Sequence, residues 1–100
     1  NPPVVNTARE AEISRLAAEA VVGPRNVVPQ EHPSMGSEDF AFYLREVPGC
    51  YVRFGACAEG QPYVPLHSPS FTIDEGVLEI GARWFERVVR EAQRMLPRKP

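Results

Sequence analysis

Cys50-Tyr51-Val52-Arg53-Phe54-Gly55-Ala56 decides the fold reading, because it is the most strand-like run in the chain. Its aromatic and β-branched residues suit a pleated surface, and Pro48-Gly49 separates it from what precedes. Upstream, Asn26-Val27-Val28 is a second and shorter strand candidate. Pro29 limits it, since proline has no N–H to give a ladder. A helix is expected between the two. Ser37 is a good N-cap, Glu38 and Asp39 fall in the first turn where the helix dipole favours carboxylates, and Phe40, Tyr43, Leu44 and Val47 share one face. Strand, helix and strand over residues 26–56 have the length of a βαβ unit, for which a right-handed crossover is expected.

Two further helices flank this unit. Thr7 and Glu10 form a T-x-x-E capping box, after which Ile13, Leu16, Ala17, Ala20 and Val21 recur on one helical face. Gly23 tolerates a left-handed cap and Pro24 cannot continue the helix. Residues 30–36 and 58–65 read as loops. Thr72 and Glu75 form a second capping box before the apolar stripe of Val77, Ile80, Gly81, Trp84, Phe85, Val88, Ala92 and Met95, which Pro97 ends. The fold class expected is therefore α/β, with three helices packed on a short mixed or parallel sheet.

Composition narrows the function classes. The 100 residues suffice for one core. A 43% hydrophobic and 24% charged content is ordinary for a soluble globular domain. The formal net charge of -2 leaves no electrostatic footprint for nucleic acid. Arg94, Arg98 and Lys99 are too few for a polybasic membrane anchor, and no apolar run approaches the ~18 residues of a membrane span. No signal peptide opens the chain, so a cytoplasmic setting is expected. Cys50 reads as a small buried hydrophobe, and Cys57 ends the same run beside a loop. Two cysteines make no disulfide framework. The opening Asn1-Pro2-Pro3-Val4-Val5-Asn6 reads as the tail of an extended segment of something longer.

Few residues could carry chemistry. His67 sits in a loop just before a helix N-terminus, where the dipole disfavours imidazolium and favours the neutral, metal-binding form. Its local surroundings alone suit a hydrogen-bonded structural histidine better, and one histidine is no metal site. His32 has the surroundings of a surface residue. The pairs Glu38-Asp39 and Asp74-Glu75 are explained as first-turn carboxylates, and adjacent residues on a helix do not converge on one atom. Met35-Gly36-Ser37 precedes a helix. It could offer backbone N–H groups to an anion or be an ordinary N-cap. Ser68 beside His67 lacks the geometry of an activated nucleophile, and there is no P-loop, dinucleotide fingerprint or C-x-x-C.

Taken in order, these residues resemble one family. The opening Pro2-Pro3-Val4-Val5-Asn6, then Met35-Gly36-Ser37-Glu38-Asp39-Phe40-Ala41-Phe42-Tyr43-Leu44, Val47-Pro48-Gly49, Phe54-Gly55, Leu66-His67-Ser68-Pro69-Ser70-Phe71 and Asp74-Glu75 resemble the metal-dependent amidohydrolases and aminoacylases: hippurate hydrolases, N-acyl-amino-acid amidohydrolases and auxin-conjugate hydrolases. The resemblance implies a two-metal catalytic domain interrupted by an inserted lid domain that often makes a homodimer. Residues 1–6 would be the exit from the lid and residues 7–100 the carboxyl-terminal part of the catalytic domain. It implies that His67 is the last metal ligand and that Met35, Gly36 and Ser37 line the substrate pocket. The implied cofactor is a pair of divalent metals, with zinc, manganese, cobalt and nickel not distinguished. The implied substrate is an N-acyl amino acid, and the implied partner is the remainder of the catalytic domain, which brings the other ligands and the general base. The chain alone is then expected to be inactive. The alternative is a non-catalytic interaction module that keeps this part of the fold.

Overall fold

The computed structural model describes residues 2–30, 38–63, 68–70 and 72–97. Its framework is a pair of packed helices, α1 (Ala8–Val22) and α3 (Gly76–Met95). A 3-10 turn at Pro24–Asn26 follows α1 directly, and the short α2 (Phe40–Glu46) lies between the two long helices in sequence.

Both long helices follow their apolar periodicity. Ile13, Ser14 and Ala17 are buried on α1, with Leu16 and Val21 half-buried and Ala20 exposed. On α3, Trp84 and Glu91 are buried while Val77, Ile80, Gly81, Val88, Ala92 and Met95 are half-buried, and Phe85, expected in the same stripe, is exposed. Trp84 centres the core. Phe54 meets its ring edge-on at 5.5 Å between centroids, and Phe85 does so at 5.0 Å. Such tilted aromatic pairs add to the burial of apolar area.

The end of α1 matches its sequence signal. Gly23 takes φ 84° and ψ 150°, a conformation open to glycine, and its N–H donates to the Glu19 carbonyl at 2.9 Å. The Asn26 side chain then donates to the Val22 carbonyl at 2.8 Å, satisfying another orphan group of the last turn.

The helix starts depart from the expected capping boxes. Thr7 has the extended backbone of an N-cap, yet its side chain caps no helix amide. Its hydroxyl donates to Glu10 Oε1 at 2.6 Å and accepts the Gly49 N–H at 3.0 Å, while the Thr7 N–H donates to the Gly49 carbonyl at 3.0 Å. The hydroxyl is thus used to fasten α1 to the chain that leaves α2. At α3 the Thr72–Glu75 box does not form. Asp74 Oδ1 instead accepts the Gly76 N–H at 2.9 Å. α2 begins at Phe40, with Glu38 Oε1 accepting the Phe40 N–H at 3.3 Å. Ser37, its expected cap, lies outside the described residues.

The α/β expectation is not met. Among the described residues there is no strand and hence no sheet for three helices to pack on, and the arrangement is helical. Residues 50–58 carry no regular element. Their tethers are isolated ones: the Asp74 N–H donates to the Ala56 carbonyl at 2.7 Å, and Tyr51 is held by the Asn6 side chain. Residues 26–28 form no strand either, since Asn26 belongs to the 3-10 turn and Val28 is 75% exposed. The physical reason is that composition and alternation make a segment fit a pleated surface, whereas a strand exists only when a second extended segment supplies the ladder. Without two strands there is no βαβ unit and no crossover hand. Cys50 is half-buried rather than buried, Cys57 is exposed, and both thiols are free.

Candidate functional site

His67, Met35, Gly36 and Ser37 lie outside the described residues, as does His32. The structure describes the segments that adjoin them in sequence.

Glu38 follows Ser37 directly and is held from two sides. Its Oε1 accepts the Phe40 N–H at 3.3 Å, and its Oε2 accepts the Tyr51 hydroxyl at 3.2 Å. The Tyr51 ring lies against Phe40, with centroids 5.6 Å apart. The main chain of Tyr51 is gripped by the carboxamide of Asn6, which accepts its N–H at 2.8 Å and donates to its carbonyl at 3.3 Å. That reciprocal pair occupies the two groups a neighbouring strand would otherwise have taken.

On the other side, Ser68 and Ser70 follow His67. Their hydroxyls lie 3.0 Å apart, and the Ser70 N–H donates to Ser68 Oγ at 3.3 Å, a local side-chain turn. The Asp74–Ala56 bond ties the end of this stretch to residues 50–58. The Cys57 thiol lies 3.3 Å from the Gln61 carbonyl, inside the turn between them.

A cleft of about 850 Å³ opens between α1, residues 26–30, residues 50–55 and the start of α3. Its wall is mainly apolar, with Val21, Val27, Val52, Val77, Ile80 and Trp84 among its lining, and Arg15 at one side. Arg15 is engaged, donating to Glu12 and, at 2.5 Å, to Glu19. Those two hydrogen bonds raise the guanidinium above its ordinary value, and the Arg15 contact lowers Glu12. Along α3, Glu91 accepts from Arg94 at 2.5 Å and from Arg87 at 3.2 Å, and its carboxyl is lowered first by the Arg94 hydrogen bond.

Among the described residues no group of three or more His, Cys, Asp or Glu side chains could hold a metal ion. Glu38 and Asp74 are committed to the first amides of α2 and α3, so one member of each carboxylate pair serves a helix start, though both pairs precede their helices instead of lying in the first turns. Neither Cys50 nor Cys57 belongs to a group that could hold a metal ion among the described residues. No helix among the described residues is long and apolar enough to cross a membrane. The Asn6–Tyr51 grip was not readable in the sequence, because the partners are 45 residues apart and neither belongs to a periodic pattern. The i, i+3 and i, i+4 spacing of Glu12, Arg15 and Glu19, and of Arg87, Glu91 and Arg94, was a signal for the ion pairs.

Comparison with known proteins gives a consistent frame. The model of peptidase family M20/M25/M40 matches residues 1–91. The chain is 38% identical over 89 residues to "Putative glutamate–cysteine ligase 2-3" of Rhodococcus jostii (strain RHA1), a match covering 89% of this chain and 11% of that protein. It is 33% identical over 81 residues to IAA-amino acid hydrolase ILR1-like 2 of Arabidopsis thaliana, covering 81% of this chain and 18% of that protein. It is 34% identical over 95 residues to N-acetyl-L-cysteine deacetylase of Bacillus subtilis (strain 168), covering 95% of this chain and 20% of that protein. The chain therefore spans a fifth or less of the length of these relatives. No solved structure matches it significantly.

Proposed function

This chain belongs to peptidase family M20/M25/M40, and from that membership we propose that it serves a metal-dependent amidohydrolase that cleaves the amide bond of N-acyl amino acids with metal-activated water. The observation that carries the reading is the family match over residues 1–91. Two relatives support the substrate class, one named a hydrolase of an amino-acid conjugate and the other a deacetylase of an N-acetyl amino acid. The ligase name is shared with a protein of which the match covers 11%, so it bears little on this stretch.

In this reading residues 1–6 leave an inserted lid domain and residues 7–100 close the catalytic domain. Gly36 and Ser37, with Met35 beside them, hold the substrate near the metals, and His67 is the last metal ligand. The described residues do not by themselves fit a metal site. His67 is then the single ligand this chain offers, and the remaining ligands and the general base come from the remainder of the catalytic domain. The chain alone is inactive. The apolar cleft and the exposed apolar side chains of α3 are the surfaces that meet that remainder, and the intact protein is a cytoplasmic homodimer.

Metal analysis of the full-length protein beside its His67→Ala variant tests this reading. Loss of bound metal together with loss of N-acyl-amino-acid hydrolysis is expected. Metal content and activity both left unchanged by the substitution would sink it.

A further inference from the structure

Arg83, Arg87, Arg90 and Arg94 recur on α3 at i, i+4, i+7 and i+11, a spacing that sets all four along one line of the helix. At 3.6 residues per turn this line flanks the Trp84 stripe on the side away from the exposed Leu78, Phe85 and Val89. Three of the four, Arg83, Arg87 and Arg90, line a cleft of about 220 Å³ between α3 and the end of α1. The rest of its lining is Glu86 from α3 and Ala20 and Val21 from α1.

Ion pairing within α3 accounts for part of the line only. Arg87 and Arg94 share the buried carboxylate of Glu91, and Arg90 donates to Glu86 at 3.0 Å. Arg83 is exposed and has no ion pair or hydrogen bond with any described residue. Like charges three and four apart destabilise a helix, so this row has a cost that needs an offset. α1 does not supply it, because the residues it brings to the cleft carry no carboxylate. The arginines do not cap α1 either. The Gly23 N–H takes the Glu19 carbonyl, and the Asn26 side chain takes that of Val22. The lining thus sets three guanidinium groups against one carboxylate, an excess that a doubly negative group would balance.

The geometry of the donors narrows the anion. Each guanidinium is a planar fork that can give two parallel N–H bonds to one oxyanion. Arg83 and Arg90 stand about 10 Å apart along the helix, with Arg87 between them, within reach of one small group for such long side chains. A tetrahedral phosphate has oxygens for forks approaching from several sides. A single carboxylate has two, and one negative charge.

We propose that this cleft between α1 and α3 binds a phosphate group, carried by free phosphate or by a phosphomonoester, with Arg83 as its unshared donor. The site is separate from the residues assigned to metal and substrate, and it does not rest on the function proposed above.

The test is titration calorimetry of the full-length, metal-loaded protein with inorganic phosphate and with glycerol phosphate, at constant ionic strength. Arg83→Gln removes the free guanidinium without breaking a bond seen in the fold, and Arg83→Lys keeps its charge but not its fork. Kd at the cleft should rise about tenfold in Arg83→Gln and by less in Arg83→Lys. Phosphate bound at the metals contributes equally to wild type and variants, so the difference between them reads the cleft. Tighter binding of glycerol phosphate would assign the cleft to a phosphomonoester, and tighter binding of inorganic phosphate to the free ion. Identical isotherms for wild type and Arg83→Gln would overturn the proposal. So would a loss of the Arg83-dependent binding when sodium chloride is raised modestly, since that marks a diffuse charge effect and not a site.

Discussion

The indole N–H of Trp84 donates to the main-chain carbonyl of Ser14 at 3.1 Å, joining α3 to α1 across 70 positions of sequence. Trp84 is 7% exposed, so its N–H has little access to water and needs a protein partner. The bond fixes where along α1 the ring sits, and Phe54 closes over its edge. Trp84→Phe keeps an aromatic ring but loses the bond and part of the volume. It should cost about 1–3 kcal/mol of unfolding free energy, and Trp84→Ala about 3–5 kcal/mol. Urea denaturation followed by circular dichroism reads both, and a wild-type midpoint for Trp84→Phe would show that the bond contributes nothing net.

Gly23 closes α1 at φ 84° and ψ 150°, with no side chain or backbone near the place a Cβ would occupy. The expected penalty of a substitution is thus conformational rather than steric. Gly23→Ala should destabilise by about 1–3 kcal/mol, and a bulkier residue should cost little more, since the space is open. A steep rise in cost from alanine to leucine at this position, measured by thermal unfolding, would contradict that assignment.

Acid should weaken the fold with a definite sign. The Thr7 hydroxyl lowers Glu10, with burial opposing and Arg9 adding to the lowering. Arg15 lowers Glu12, and Arg94 then Arg87 lower Glu91. Each carboxyl binds its proton less readily folded than unfolded, so the unfolded chain takes up more protons on acidification. The stabilisation is complete above the ordinary glutamate value of 4.5 and is lost as pH falls through the lower folded values. Exposure of the arginine partners to solvent and salt keeps each share small, though the Glu91 carboxyl itself is buried. Urea midpoints should decline below about pH 4.5. Thr7→Val should both lower the midpoint at neutral pH, by removing the acceptor of the Gly49 N–H, and shallow the acid decline, by removing the leading cause of the Glu10 shift. An unaltered acid slope in that variant would separate Glu10 from the effect.

The long helices were legible because their information is local. Ile13 and Ala17, or Trp84 and Val88, lie within a turn of each other, and Gly23-Pro24 announces a stop by backbone chemistry alone. The sheet was misread because Cys50-Tyr51-Val52-Arg53-Phe54 specifies a surface preference and not a partner. In the structure Asn6 and Thr7 take up some of the groups a ladder would use. The capping boxes were misread for a related reason. A threonine and a glutamate at i, i+3 are also suited to bonding each other, which is what Thr7 and Glu10 do once Gly49 competes for the hydroxyl. Of the flanking carboxylates, Glu38 and Asp74 do serve helix starts, but from just before the helices rather than from their first turns. The Asn6–Tyr51–Glu38 line was invisible, since its links depend on tertiary approach.

The outer side of α3 leads to the last prediction. Leu78, Phe85 and Val89 are 64%, 64% and 56% exposed. Their spacing of seven and four places them in one line along the helix, next to the stripe that includes Trp84. A helix with two apolar stripes is suited to burial on two sides, and here α1 covers one. Together with the open cleft, this gives the described residues exposed apolar surface of the kind that drives association. The chain on its own should therefore scatter light with a mass above its monomer value of 11.2 kDa, increasingly so with concentration. Leu78→Glu with Val89→Glu should shift it towards monomer without unfolding α3, because neither side chain is among the buried residues of that helix. In the full-length protein the same pair should instead lower stability, since the proposed remainder of the catalytic domain covers that line and two buried carboxylates would have no partner there. A clean monomer for the wild-type chain at high concentration, or a full-length protein indifferent to the double substitution, would show that this side of α3 is an ordinary solvent face.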